Sequence, residues 1–130
     1  MPRNMSFSLT TEQIRNRTKT VTRRLGWKHL SPGEIVNACV KCQGLKPGET
    51  IERLAQIRVI SVRRESLEEL MFTSYGKEEA AKEGFPGMTG HEFVEMFCDH
   101  MRVTPPTEVT RIEFEYLDDS ERRTLASVHQ

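Results

Sequence analysis

Long apolar runs are missing from this 130-residue chain, and so is any net charge, with 19 Lys and Arg against 19 Asp and Glu. No stretch approaches the roughly 18 apolar residues that a membrane-spanning helix needs. Cysteine is scarce and odd in number, at three, so the disulfide framework of a small secreted domain is not expected. The opening Met1-Pro2-Arg3-Asn4 leads into no apolar signal core, and the expected setting is a reducing cytoplasm. The length is that of one domain, since domains cluster around roughly 100–150 residues. It leaves no room for a two-domain cleft enzyme.

The zero charge conceals a division. Residues 1–64 carry thirteen Lys and Arg against four acids, and residues 65–130 carry six against fifteen. The excess is nine positive charges in the first half and nine negative in the second. Such asymmetry suggests a basic half able to meet phosphates. The competing reading is that the two halves interleave in space and neutralise each other.

Periodicity outlines the elements. Met5–Leu9 reads as a short first strand, and Thr10-Thr11-Glu12-Gln13 as a capping box opening a two-turn helix anchored by Ile14. Lys19–Arg23 is extended, and Pro32-Gly33 is a turn. Glu34–Lys41 alternates, with Val36, Ala38 and Val40 on one face. Arg53–Arg64 is β-prone but changes phase between Val59 and Ile60, which predicts a bulge. Ser66 caps a short helix to Met71, and a second helical piece spans about Lys77–Glu83. Thr89-Gly90-His91-Glu92 is a capping box for a helix to Met101, with Phe93, Met96, Phe97 and Met101 on one face read as core. After Pro105-Pro106, Thr110, Ile112, Phe114 and Tyr116 alternate with Arg111, Glu113 and Glu115 as a one-sided strand. Residues 118–130 lack apolar periodicity and read as a flexible tail after a domain of residues 1–117. Short strands with inserted helices predict a small α+β barrel of mixed strand pairing.

The densest chemistry is Arg17-Thr18-Lys19-Thr20-Val21-Thr22-Arg23-Arg24, four cations and three hydroxyls at a helix-to-strand junction. Thr20 and Thr22 share a face at period two, and Arg17, Arg23 and Arg24 can grip phosphate or carboxylate bidentately. A solvated basic edge strand would carry the same composition. Trp27 and the loop aromatic Phe85 could each stack a base, or fill the core.

Lys19-Thr20-Val21-Thr22-Arg23-Arg24 followed by Leu30-Ser31-Pro32-Gly33-Glu34 resembles the opening of the ASCH domains, a branch of the PUA-like barrels. The resemblance continues through Ile57–Val62, Ser66-Leu67, Glu83-Gly84-Phe85-Pro86-Gly87-Met88 and the last strand, and covers roughly residues 5–117. It looks closest to small single-domain proteins of bacteria and phages. It implies a compact PUA-like mixed β-barrel with flanking helices and a cleft for RNA or a modified nucleoside. In one subgroup, which hydrolyses N(4)-acetylcytidine, the positions of Lys19, Thr22 and Glu83 are catalytic and that of Arg24 is basic. The resemblance thus implies a Thr nucleophile assisted by Lys and Glu. RNA binding through Arg17, Thr20, Arg23, Arg24, Trp27 and Phe85, RNA cleavage, and a non-catalytic protein-interaction module remain open beside it. No cofactor, metal or membrane is implied, and a monomer or weak dimer is expected. Cys39-Val40-Lys41-Cys42 with Cys98 and His100 has the composition of a zinc set. Packing of Cys39 and Cys98 as small hydrophobes is the preferred reading.

Overall fold

The computed structural model describes residues 2–42, 45–118 and 120–121. Five strands form one sheet: β1 (Arg3–Ser6), β2 (Val21–Arg24), β3 (Ile35–Cys39), β4 (Arg53–Ser66) and β5 (Glu108–Tyr116). Their order is β1-β3-β4-β5-β2, with β1 parallel to β3 and the other pairs antiparallel. Helix α1 (Thr11–Arg15) follows β1, and a 3-10 turn (Leu67–Leu70), α2 (Ser74–Lys82) and α3 (Gly90–Met101) separate β4 from β5. The two sheet edges curl toward each other. The Arg24 guanidinium at the end of β2 lies 4.5 Å over the ring of Phe7, just past β1, and Arg3 of β1 lies 4.9 Å over Trp27, just past β2. The result is the expected α+β architecture, a half-barrel-like sheet flanked by helices.

The bulge in β4 falls where the sequence phase changes. Pairing with β5 shifts register between Val59 and Ser61, and Ile60 is turned outward. One inserted residue switches which parity faces inward. Ala55, Ile57 and Val59 face the barrel core before the bulge, with Val62 packed against it afterwards, while Glu65 turns toward the helices. The barrel core gathers Met5, Phe7, Ile14, Val36, Ala38, Ile112 and Phe114, and a second core of Leu67, Leu70, Ala80, Phe93, Val94 and Val109 lies under the helices.

Four local expectations are corrected. β1 ends at Ser6, because Phe7–Thr10 folds into a turn closed by Thr10 N–H donating to the Phe7 carbonyl at 3.1 Å. Thr10 precedes α1 but its side chain makes no cap hydrogen bond, and α1 is five residues long. α2 starts at Ser74, not Lys77, because the Thr73 hydroxyl accepts from Gly76 N–H and sets an earlier N-terminus. β5 is not one-sided: Val109 and Arg111 are buried beneath the helices while Ile112 and Phe114 fill the barrel core. Other local readings hold. Ser66 accepts from Glu68 N–H at the 3-10 turn, and Thr89 and Glu92 form the reciprocal capping box of α3. Of the expected tail, Asp118, Ser120 and Glu121 are described and Glu121 pairs with Arg58; the remainder lies outside the described residues.

Interleaving accounts for the charge division. Cations of the first half pair with acids of the second: Lys19 with Glu83, Arg23 with Glu65, Glu79 and Glu83, Arg58 with Glu115, and Arg64 with Glu108. The basic half is therefore not a free phosphate-binding surface along its length.

Candidate functional site

A cavity of about 170 Å³ opens at the seam between the curled sheet edges and the helices. A single water needs only ~10–15 Å³ of such space, so a small organic group can enter. Its polar wall includes Lys19, Thr22, Arg23, Arg24, Glu83 and His100, and its apolar wall includes Phe7, Phe85, Phe93, Met96 and Phe97.

Long-range backbone contacts bring the polar groups together. Arg17 takes a left-handed backbone conformation (φ 62°) that turns the chain from α1 toward β2. Thr20 N–H then donates to the Lys82 carbonyl at 2.8 Å, and Gln13 Nε2 donates to the Gly84 carbonyl at 3.2 Å. Gly84 itself has φ 107°, and an added Cβ would lie 2.7 Å from the Gln13 side chain, so glycine is needed there on both counts. These contacts set Lys19 against the C-cap of α2. Lys19 Nζ donates to Glu83 Oε1 at 2.6 Å and to the Glu83 carbonyl at 2.8 Å, with both side chains buried. Tyr116 holds the same segment from β5 by donating its hydroxyl to the Lys19 carbonyl at 2.6 Å.

Burial lowers the Lys19 pKa, and the charges of Arg24 and Arg23 lower it further, against the opposing pull of Glu83. The depression thus comes chiefly from desolvation rather than from neighbouring arginines. The Thr22 hydroxyl accepts from Arg24 Nε at 3.1 Å; its partner is Arg24, not Lys19. Arg24 is the exception among the cavity's cations: among the described residues no carboxylate lies within salt-bridge distance of it. Burial pushes its pKa down to about 10, so it remains charged at neutral pH. Glu65, Glu79 and Glu83 are each paired with Lys19, Arg23 or Arg111, which leaves half-buried Arg24 on the cavity wall without a carboxylate partner among the described residues.

Of the other residues proposed for nucleic-acid contact, Arg23 and Phe85 border the cavity, whereas Arg17, Thr20 and Trp27 do not. Arg23 is buried among Glu65, Glu79 and Glu83, so it does not present a phosphate-binding fork. Arg17 is exposed and stacks 5.4 Å over Tyr116, outside the cavity. Thr20 is half-buried and spends its backbone groups on Lys82 and on Phe114 N–H. Trp27 packs on the barrel core beneath Arg3, not on the cavity rim. Phe85 does line the cavity, 6.1 Å from the Phe93 ring. The α3 face read as core is divided: Phe93 is buried, Met96 and Phe97 are half-buried cavity walls, and Met101 is 38% exposed at the mouth. Cys39 is buried in β3 and Cys42 and Cys98 are half-buried free thiols. No group of three metal-ligating side chains comes together among the described residues.

The sequence reading missed the carboxylate that holds the site from behind. Arg23 and Arg111 are directly opposite in the β2–β5 ladder, an arrangement that is repulsive by itself. Glu79 of α2 resolves it by accepting from Arg23 Nη2 and from Arg111 Nε, each at 2.6 Å. Burial alone would raise the Glu79 pKa, but hydrogen bonds from Arg111 and Arg23 overrule it and hold the group down to about 2. A folded-state pKa below the unfolded value gives stability that is present above about pH 4.5 and lost as the pH falls toward 2. At about 1.4 kcal/mol per unit the loss amounts to a few kcal/mol. Urea midpoints should be level from pH 7 to 5.5 and drop steeply between pH 4.5 and 3. A midpoint unchanged at pH 3 would contradict this account of Glu79.

Neither a protein-family model nor a curated protein matches the chain by sequence. Solved structures match its fold. An ASCH domain from Lactobacillus crispatus is 13% identical, with 88% of this chain and 78% of that one covered at a TM-score of 0.55. A DUF984 family protein from Enterococcus faecalis is 17% identical, covering 91% and 81% at 0.58. A mutant ASCH protein from Zymomonas mobilis is 12% identical, covering 98% of both chains at 0.55. The chain therefore has the ASCH fold, as its motifs suggest. Among the described residues no helix is long and apolar enough to cross a membrane.

Proposed function

We propose that the cavity admits one N-acylated cytidine-type nucleoside and hydrolyses its amide. The observation that carries this reading is the placement of Lys19, Thr22, Arg24 and Glu83 on the wall of one small, aromatic-lined cavity. RNA gripping is less favoured, since Arg23 is enclosed by carboxylates and Arg17 and Trp27 lie away from the cavity.

The residues suggest a two-step acyl transfer. Thr22 Oγ attacks the acyl carbonyl carbon while its proton passes to the amine of Lys19, whose lowered pKa enlarges the neutral fraction. Negative charge develops on the carbonyl oxygen, and the free N–H groups of Arg24 are the donors placed to receive it. Lys19 returns the proton to the departing cytosine amine as the C–N bond breaks. Water then cleaves the Thr22 ester, releasing the carboxylic acid and restoring the hydroxyl. Glu83 orients the Lys19 amine throughout. Incubation with N(4)-acetylcytidine should release cytidine and acetate in equal amounts, read by chromatography. Absence of cytidine release, with retention of labelled single-stranded RNA that weakens steeply with salt, would replace this reading with RNA binding. Cleavage of that RNA in EDTA would replace it with a ribonuclease. If neither RNA nor nucleosides shifted the melting temperature, a protein-interaction module would be left.

A further inference from the structure

Arg23, next to Thr22 in β2, is buried and takes no part in the catalytic scheme, yet three carboxylates converge on it. Arg23 donates from Nε to Glu65 Oε1 at 2.7 Å, from Nη1 to Glu83 Oε2 at 3.0 Å and from Nη2 to Glu79 Oε1 at 2.6 Å. The cluster is closed on its far side: Tyr75 donates to Glu65 Oε2 at 2.8 Å, and Arg111 Nη2 reaches Glu79 Oε2 at 3.2 Å. Glu83 is thereby held at both oxygens, one by Lys19 and the other by Arg23. An isolated buried Lys–Glu pair would gain little from its own attraction once desolvation is counted. Here the pair belongs to a network in which every buried side-chain polar atom among the described residues has a partner.

We propose that Arg23 is a positioning residue: by holding the second oxygen of Glu83 and being braced by Glu65 and Glu79, it fixes where the Lys19 amine sits and how strongly Glu83 pulls on it. Lysine at this position could not hold three carboxylates in one plane, because only the guanidinium offers a rigid fork. The charges acting on the Lys19 amine are Glu83 from the end of α2 and Arg24 and Arg23 from β2. Glu65 of β4 and Glu79 of α2 stand behind Arg23, flanked by Arg111 of β5, Arg63 of β4 and Lys82 of α2, and His100 of α3 lines the same cavity. With Arg23 removed, Glu83 leans on Lys19 alone and one repelling cation is gone. Both changes favour the charged amine.

The role is inferred for the hydrolase reading above, yet its first test needs no turnover. The Lys19 side-chain carbon next to the amine can be followed by NMR against pH, identified by its loss in Lys19→Arg. Arg23→Gln should raise the titration midpoint of this amine by about one unit or more, and Arg23→Lys, which restores the charge but not the fork, should bring it only part of the way back. Should Arg23→Gln not fold, Arg23→Gln combined with Glu65→Gln removes one charge of each sign. The same upward shift is expected there, because Glu83 still loses its second partner. A folded variant with an unmoved midpoint would overturn the proposal. The kinetic arm uses N(4)-acetylcytidine, where Arg23→Lys should lower kcat about tenfold or more with KM within about twofold. An inactive wild-type protein would reject the hydrolase reading and leave the titration to decide the role of Arg23.

Discussion

Replacing Thr22 by alanine is expected to lower kcat on N(4)-acetylcytidine by roughly a thousandfold or more, about 4 kcal/mol in the barrier, while KM stays within a few-fold. Removal of a nucleophile eliminates the covalent step and leaves only what binding and the oxyanion donor supply. Serine at the position keeps the hydroxyl and should retain measurable turnover. The stability cost should be small. Thr22 Oγ1 accepts one hydrogen bond, from Arg24 Nε, and Arg24 can turn that donor toward the cavity. Lys19→Met is the paired test: it removes the proton acceptor while the Arg23 contact still holds Glu83. If Thr22→Ala were folded and as active as wild type, Thr22 would not be the nucleophile. If only Lys19→Met were inactive, the amine would activate water directly on the acyl carbon. The two variants therefore separate covalent from direct hydrolysis.

Much of the frame is readable from short-range pattern. The change of phase at Val59–Ile60, the cap at Ser66 and the box at Thr89–Glu92 each leave a signal within a few residues, and each matches the structure. The proposed site residues Lys19, Thr22 and Glu83 are a different case. Lys19 and Glu83 lie 64 positions apart in the sequence, and only the resemblance to the ASCH motifs links them before the chain is folded. Nothing local marks Arg23, Glu65, Glu79 or Arg111 as buried. Charged residues are rarely fully buried unless paired, and here the pairing partners come from β2, β4, α2 and β5. The alternation in β5 places Arg111 on the polar face, but that face is covered by helices at one end of the strand and open at the other. Period alone cannot tell a covered polar face from a wet one. The α3 stripe shows the converse: its spacing identifies an apolar face, but not that part of the face borders a cavity.

Alanine at Gly90 is expected to destabilise the protein by about 3 kcal/mol or more, beyond the usual overpacking range of roughly 1–3 kcal/mol. The reason is backbone meeting backbone. A Cβ built on Gly90 would stand 1.9 Å from the Leu70 carbonyl oxygen and 2.7 Å from the Gly76 Cα, and one on Gly76 would stand 1.7 Å from the same oxygen. Both glycines are helical with no positive φ, so close approach rather than conformational freedom requires them. Flexible side chains can yield by rotating, whereas here the 3-10 turn, α2 and α3 must move apart. A drop in Tm of roughly 10 °C is expected at a few degrees per kcal/mol for a domain of this size. The displacement also bears on the site. α2 carries Glu79 and ends at Glu83, and α3 carries Phe93, Met96 and Phe97 of the cavity wall. Gly90→Ala should therefore reduce turnover more at a given temperature than its unfolded fraction explains. A surface control such as Lys77→Ala should leave both unchanged. If Gly90→Ala melted within a degree of wild type, the three backbone segments would have to pack farther apart than they do in this structure.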